Sequence, residues 1–241
     1  MPSHFDRALN TLGNIATHVG NTVGTVVNEQ LSNLENKVKT MSIQETSDTI
    51  VLTKGVNISL EKAVEAGLKN VAVGLAWDEI PGASDFDADS LAVMLDENGK
   101  LISNGAVYYG LASSSGSPFK SADGSIQHSG DNLTGKGSGD DETLTTSLTA
   151  VPANVSKINF LINIHAAAER RQNFGQVPSC KARLYNKDSG EVLAKYDLVE
   201  DFSAATAVEV GQLYRYENTW KFKALGNALT GNLQEIVAKY K

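Results

Sequence analysis

Hydrophobic spacing divides the chain into an N-terminal segment with helical periodicity and a longer remainder with strand periodicity. In the first forty residues the apolar positions recur mostly at intervals of three and four, as on one face of an α-helix. They are Phe5, Leu9, Leu12, Ile15, Val19, Val23, Val26, Leu31, Leu34 and Val38. Glycine weakens a helix, so a break between Gly20 and Gly24 is expected. Residues 1–41 are therefore predicted to form an amphipathic helical extension.

The apolar stripe of this extension has two interpretations, and the sequence leaves both open. Residues 5–38 could associate with a second copy of the chain or with another protein. Equally, the stripe could pack on the domain that follows it. Insertion into a membrane surface is disfavoured, because the polar face is not rich in Lys and Arg.

From residue 42 onward, short segments rich in β-forming residues alternate with turns made of Gly, Asn and Asp. Many short strands at regular spacing predict a mainly β fold, a two-sheet β-sandwich spanning residues 42–241. Helical spacing returns at Asn227–Tyr240, which predicts a C-terminal helix packed on the sandwich. The predicted strands are Thr49–Thr53, Asn57–Leu60, Val71–Trp77, Leu91–Leu95, Ala106–Tyr109, Thr143–Leu148, Lys157–His165, Cys180–Asn186, Val192–Asp197, Ala207–Tyr216 and Thr219–Ala224.

An acidic segment precedes the strand Leu91–Leu95. Alternate residues of an extended chain point to one side, so Asp85, Asp87 and Asp89 should stack about 7 Å apart along one face. No Lys or Arg lies between Asp78 and Glu97. Carboxylates placed together repel one another unless a positive charge lies among them, and a bound cation is the simplest compensation.

A second segment, residues 130–142, combines glycines with Asp, Asn and Glu. Glycines let a backbone fold tightly and turn its carbonyl oxygens inward. Calcium takes six to eight oxygen ligands in flexible geometry, whereas magnesium demands stricter geometry and zinc prefers His or Cys. The two segments together predict a calcium site with oxygens enough for two ions, and a solvated acidic loop is the alternative. The predicted ligands are Asp78, Asp85, Asp87, Asp89, Asp131, Asn132, Gly137, Asp140, Asp141 and Glu142.

Composition narrows the class of protein. A net charge of −7 disfavours binding to nucleic acid or to anionic membranes. No apolar run is long enough to span a membrane, and the single cysteine, Cys180, excludes an internal disulfide, so a cytoplasmic protein is expected. Catalysis by His165 with Arg170 and Arg171 is the enzymatic alternative. The sequence does not place a Ser or Cys nucleophile beside His165, so a non-enzymatic protein is predicted. In it the two arginines pair with acidic groups, bind an anion or contact a partner.

Several motifs resemble those of the TerD family of tellurium-resistance and stress proteins. They run in the family's order and spacing from about residue 50 to the C-terminus. The matching runs are Leu52–Gly55, Asn57–Leu60, Val73–Asp78, Asp85–Ser90, Lys120–Ser125, Gly130–Gly135, Gly139–Glu142, Arg170–Val177, Gly211–Arg215 and Trp220–Phe222.

This resemblance implies a cytoplasmic calcium-binding β-sandwich, in which the aspartate strand and the Gly-Asp loop hold calcium. It also implies a role in resistance to tellurite or other chemical stress, which favours a non-enzymatic interaction module. The alternative function is an oligomeric scaffold in which the N-terminal extension drives assembly and calcium is purely structural.

Overall fold

The computed structural model describes residues 50–51, 54–78, 86–110, 119–136, 139–177 and 179–241. The predicted helical extension, residues 1–41, lies outside the described residues, as do the predicted ligands Asp85 and Gly137. Within the described ranges, none of the helices is both long and apolar enough to cross a membrane.

Twelve strands and four short α-helices make up the described residues, together with a 3-10 helix at Phe174–Gln176. The helices are α1 (Glu61–Glu65), α2 (Ala167–Arg170), α3 (Leu198–Phe202) and α4 (Leu233–Ala238). The strands are β1 (Ile50–Val51), β2 (Asn57–Ser59), β3 (Asn70–Trp77), β4 (Ala88–Leu95), β5 (Leu101–Val107), β6 (Ile126–His128), β7 (Glu142–Ser147), β8 (Lys157–Ile164), β9 (Cys180–Asn186), β10 (Val192–Asp197), β11 (Ala207–Tyr216) and β12 (Thr219–Leu229).

The strands form two six-stranded sheets that pack face to face. The first sheet has the order β1-β10-β9-β3-β7-β6 and the second the order β2-β12-β11-β8-β4-β5. Neighbouring strands are antiparallel, except that β1 runs parallel to β10. Apolar side chains from both sheets, such as Leu75 and Leu144 against Met94 and Phe160, share one core between the layers. The predicted two-sheet β-sandwich is confirmed.

The C-terminal helix is confirmed, but the prediction that it begins at Asn227 is wrong. Residues 227–229 belong to β12, where Asn227 and Leu229 pair with Glu209 and Ala207 of β11. Helix α4 begins only after Asn232, whose side chain accepts a hydrogen bond from the Glu235 amide at 2.9 Å and caps the helix. Backbone pairing with a neighbouring strand therefore outweighs the helical spacing of the apolar residues.

Strand β4 is buried along its whole length, and this burial positions the site. Its inward residues, such as Met94, face the core between the sheets. Its outward residues, such as Leu91 and Val93, are covered by Leu233 and Ile236 of α4. The acidic side chains at the start of this strand are therefore attached to a fully buried strand at the edge of the hydrophobic core.

Candidate metal centre

Three carboxylates from two separate segments converge at the start of β4. Asp87 precedes the strand, Asp89 lies on it, and Asp131 comes from the loop between β6 and β7. Each contributes an oxygen atom, and these oxygens all lie within 4.8 Å of one another. Asp87 and Asp89 are buried, with 4% and 1% of their surface exposed, whereas Asp131 is exposed. The sequence prediction that the two acidic segments face each other is met at these three residues.

Two buried oxygens of this cluster lack hydrogen-bond donors. Asp87 Oδ1 and Asp89 Oδ2 are both inaccessible and have no hydrogen-bond partner. Burial, together with the negative charges of Glu142, Asp87 and Asp131, raises the pKa of Asp89 to about 8. Burial also raises the pKa of Asp87 and of Asp131. Buried carboxylates are normally hydrogen-bonded or paired, so this cluster is electrostatically unsatisfied as it stands.

A histidine and an arginine that are distant in sequence approach the cluster. His165 Nδ1 lies 3.8 Å from Asp89 Oδ2, and Arg170 Nη1 lies 4.0 Å from Asp87 Oδ2. Tyr109 Oη lies 3.3 Å from His165 Nδ1. The pairing of Arg170 with an acidic group agrees with the sequence prediction. The identity of that group, and the approach of His165 to Asp89, depend on β8 pairing with β4 and not on any local motif.

A fully buried polar network joins the two segments that carry the carboxylates. Glu142 Oε2 accepts hydrogen bonds from the Ser90 amide at 2.7 Å and from the Ser90 hydroxyl at 2.8 Å, and lies 3.2 Å from His128 Nε2. The Gly130 amide donates to His128 Nδ1 at 3.0 Å, so Nε2 carries the ring proton of a neutral imidazole. Since Ser90 follows Asp89 and Gly130 precedes Asp131, this network aligns two of the three converging carboxylates.

This network contains a serine, a histidine and a glutamate, but its burial argues against a hydrolytic triad. Ser90, His128 and Glu142 expose 2%, 1% and 0% of their surface, so a substrate cannot reach the serine. Cys180 is equally inaccessible, and burial raises the pKa of its thiol, which disfavours the nucleophilic thiolate. The four residues therefore have structural roles.

The loop between β6 and β7 is held by side-chain hydrogen bonds. Asn132 Oδ1 accepts from the amides of Thr134 and Gly135, both at 3.1 Å, while its Nδ2 donates to Asp141 Oδ1 at 3.0 Å. Asp141 Oδ2 accepts from the Trp77 amide at 3.0 Å. Gly135 has a φ of +67°, and a Cβ there would lie 2.5 Å from the Trp77 ring. Only glycine fits this position, which keeps the loop close to the end of β3.

Asp140 belongs to a separate ion pair. Both of its carboxylate oxygens accept from Arg183, at 2.7 Å and 2.9 Å. Gly74 pairs with Arg183 across the β3–β9 ladder, and a Cβ there would lie 2.1 Å from Asp140 Oδ2. The ion pair thus lies over a strand position that must lack a side chain.

The predicted ligands therefore fall into distinct groups. In the first group, the oxygens of Asp87, Asp89 and Asp131 converge. In the second group, the side-chain oxygens already accept hydrogen bonds from the protein. This group consists of Asp140, Asp141 and Glu142, each through both carboxylate oxygens, and Asn132 through Oδ1. Asp78 is exposed. Of the two predicted anion-contacting arginines, Arg170 faces Asp87 and Arg171 is exposed.

The chemistry of the converging group suits a hard divalent cation. It offers carboxylate oxygens, two of them buried without a donor, beside a cavity of about 590 Å³ that Asp89, Asn163 and His165 help to line. A bound cation would offset the burial and the mutual repulsion that raise the pKa of all three carboxyl groups. Asp87, Asp89 and Asp131 are the residues that would hold it.

Most of the chain matches one known protein family. Residues 49–240 match the model of the TerD domain. The chain belongs to the TerD domain family. The resemblance seen in the sequence motifs is therefore confirmed.

Relatives within this family are named for stress and tellurium resistance. The chain is 46% identical over 195 residues to general stress protein 16U of Bacillus subtilis (strain 168), covering 80% of this chain and 97% of that protein. It is 45% identical over 194 residues to tellurium resistance protein TerD of an Alcaligenes species, with the same coverages. A crystal structure of a homologue of telluride resistance protein (TerD) from Streptomyces coelicolor A3(2) shares the fold, with a TM-score of 0.58, 19% identity, and coverage of 71% of this chain and 96% of that chain.

Proposed function

We propose that this TerD-family protein binds calcium at the cluster of Asp87, Asp89 and Asp131 and acts, without catalysis, as an interaction module in the response to chemical stress. The observation that carries the proposal is the pair of buried, donorless oxygens, Asp87 Oδ1 and Asp89 Oδ2, in a cluster whose oxygens lie within 4.8 Å of one another. Such a cluster is stabilised by a divalent ion and destabilised without one.

Calcium is preferred over magnesium because of how the ligands are supported. The cluster joins a rigid strand to a loop whose backbone bends at Gly130 and Gly135, both with positive φ. Calcium accepts such irregular, six- to eight-fold oxygen geometry, whereas magnesium demands a near-ideal octahedron and retains several waters.

The role in stress follows from the names of the relatives. A general stress protein and a tellurium resistance protein each match this chain at about 45% identity over nearly their full length. A calcium-dependent module of the same family is proposed to serve the same kind of response here, with tellurite as one challenge. The loop of residues 130–136 carries Asp131, so a bound ion would link this loop to strand β4.

The direct test is calorimetric titration of the metal-free 241-residue chain with calcium and with magnesium at pH 7. Asp131→Asn is the decisive variant, because Asp131 is exposed and its loss should spare the core. Calcium heat in the wild type, its loss in Asp131→Asn and a weaker magnesium response would support the proposal. Asp188→Asn makes the same chemical change at a surface turn and should bind calcium as the wild type does. No calcium heat at millimolar concentration would refute the site.

A further inference from the structure

The protein itself places a positively charged side chain, Arg170, beside the carboxylate cluster. Arg170 Nη1 is 4.0 Å from Asp87 Oδ2; the arginine side chain is 35% exposed and the aspartate side chain 6%. The guanidinium therefore lies at ion-pair distance from one of the three converging carboxylates.

The backbone around Arg170 holds it at this position. Helix α2 has a single turn and is bracketed by Ala166 and Arg171, which adopt left-handed conformations with φ of 48° and 54°. Left-handed backbone is unfavourable for a non-glycine residue, so surrounding contacts must maintain it. The His165 amide donates to the carbonyl of Asp87 at 2.8 Å, which ties the start of this turn directly to the cluster.

We propose that Arg170 is a built-in counter-cation that sets the calcium affinity of the cluster: it partly neutralises Asp87 in the metal-free protein and repels the ion in the bound one. This inference rests on the calcium site proposed above. It gives Arg170 an affinity-setting role, distinct from the ligands themselves and from the sequence-based expectation of an anion contact.

Both halves of this role act in the same direction. In the metal-free state Arg170 attracts the carboxylates, so it stabilises the state that calcium must replace. In the bound state a divalent ion among the same carboxylates is a like charge for the guanidinium. Each effect weakens binding. Because the guanidinium is partly exposed, solvent screens it, and the combined effect is expected to be roughly tenfold in Kd.

The neighbouring residue provides a matched control. Arg171 adds the same charge one residue further along the chain, is exposed, and has its backbone N–H bonded to the carbonyls of Ala167 and Ala168. We would titrate the 241-residue wild type and the variants Arg170→Gln, Arg170→Lys and Arg171→Gln with calcium by calorimetry. Melting temperatures would be measured in parallel in a chelator.

Arg170→Gln is expected to bind calcium roughly tenfold more tightly while melting at a lower temperature without metal. Arg170→Lys, which keeps the charge, should stay near the wild-type Kd, and Arg171→Gln should change it less than twofold. A merely structural role for Arg170 would lower the melting temperature without tightening binding.

The outcomes separate this inference from the function on which it rests. If the wild type binds calcium and Arg170→Gln binds it equally or more weakly, the affinity-setting role is overturned and the calcium site stands. If the wild type shows no binding but Arg170→Gln does, the inference stands and the proposed function of the native protein fails. If neither binds, both are refuted.

Discussion

Asp89→Asn is expected to stabilise the metal-free protein while abolishing its response to calcium. Asp89 is 1% exposed, and one of its oxygens has no hydrogen-bond donor. Its nearest charged neighbours include Asp87, Asp131 and Glu142, which all disfavour its ionised form. An asparagine keeps the shape, carries no charge, and can donate its amide protons to the neighbouring carboxylates.

The magnitude follows from the pKa of Asp89, which is raised from 3.8 to about 8. The unfolded chain releases this proton above pH 3.8 and the folded protein keeps it until about pH 8, so stability falls as the pH rises between these values. At about 1.4 kcal/mol for each pH unit in this window, the cost at pH 7 is on the order of 4 kcal/mol. Asp89→Asn removes this cost.

Urea unfolding of the full chain, with chelator and with calcium, measures both effects. Without metal, Asp89→Asn should raise the free energy of unfolding by several kcal/mol and flatten its decline from pH 5 to pH 8. With calcium at a hundredfold excess over Kd, the wild type should gain about 2.7 kcal/mol and the variant nothing. Asp188→Asn should behave as the wild type in both conditions.

The opposite sign would refute this reasoning. If Asp89→Asn destabilises the metal-free protein by more than 1 kcal/mol, then the carboxylate is held favourably by groups such as His165, which lies 3.8 Å away. The cluster would then be an ordinary structural ion-pair network with no need of a cation.

Two further predictions concern the residues that support the cluster. His128→Ala should lower the free energy of unfolding by about 3 kcal/mol in chelator, because it opens a cavity and removes one contact of the buried Glu142 side chain. A loss below about 1 kcal/mol in urea unfolding would contradict this. Gly135→Ala should weaken calcium binding in calorimetry and cost at least 1 kcal/mol, because its φ of +67° and the Trp77 ring leave no room for a Cβ; wild-type affinity and stability would show that the loop shifts freely.

Local patterns in the sequence determined the elements of the sandwich. The alternation of side chains in Val71–Trp77 identified β3, and the turn at Asp96 to Gly99 was visible from its residue types; in the structure the Gly99 amide donates to the Asp96 carbonyl at 3.1 Å. The convergence of Asp87 and Asp89 with Asp131 was also predicted, because two acidic segments that share a cation would face each other. These inferences need only the chain's local geometry and its charge.

Only the tertiary structure decided what surrounds the carboxylates. Arg170 reaches Asp87 because β8, which precedes α2, pairs with β4, and His128 meets Glu142 because β6 pairs with β7. No local periodicity encodes such partners, since the order of strands in a sheet results from the packing of the whole core. For the same reason, the spacing of apolar residues could not show that the pairing of β12 with β11 extends to Leu229 and that the helix begins only at Leu233.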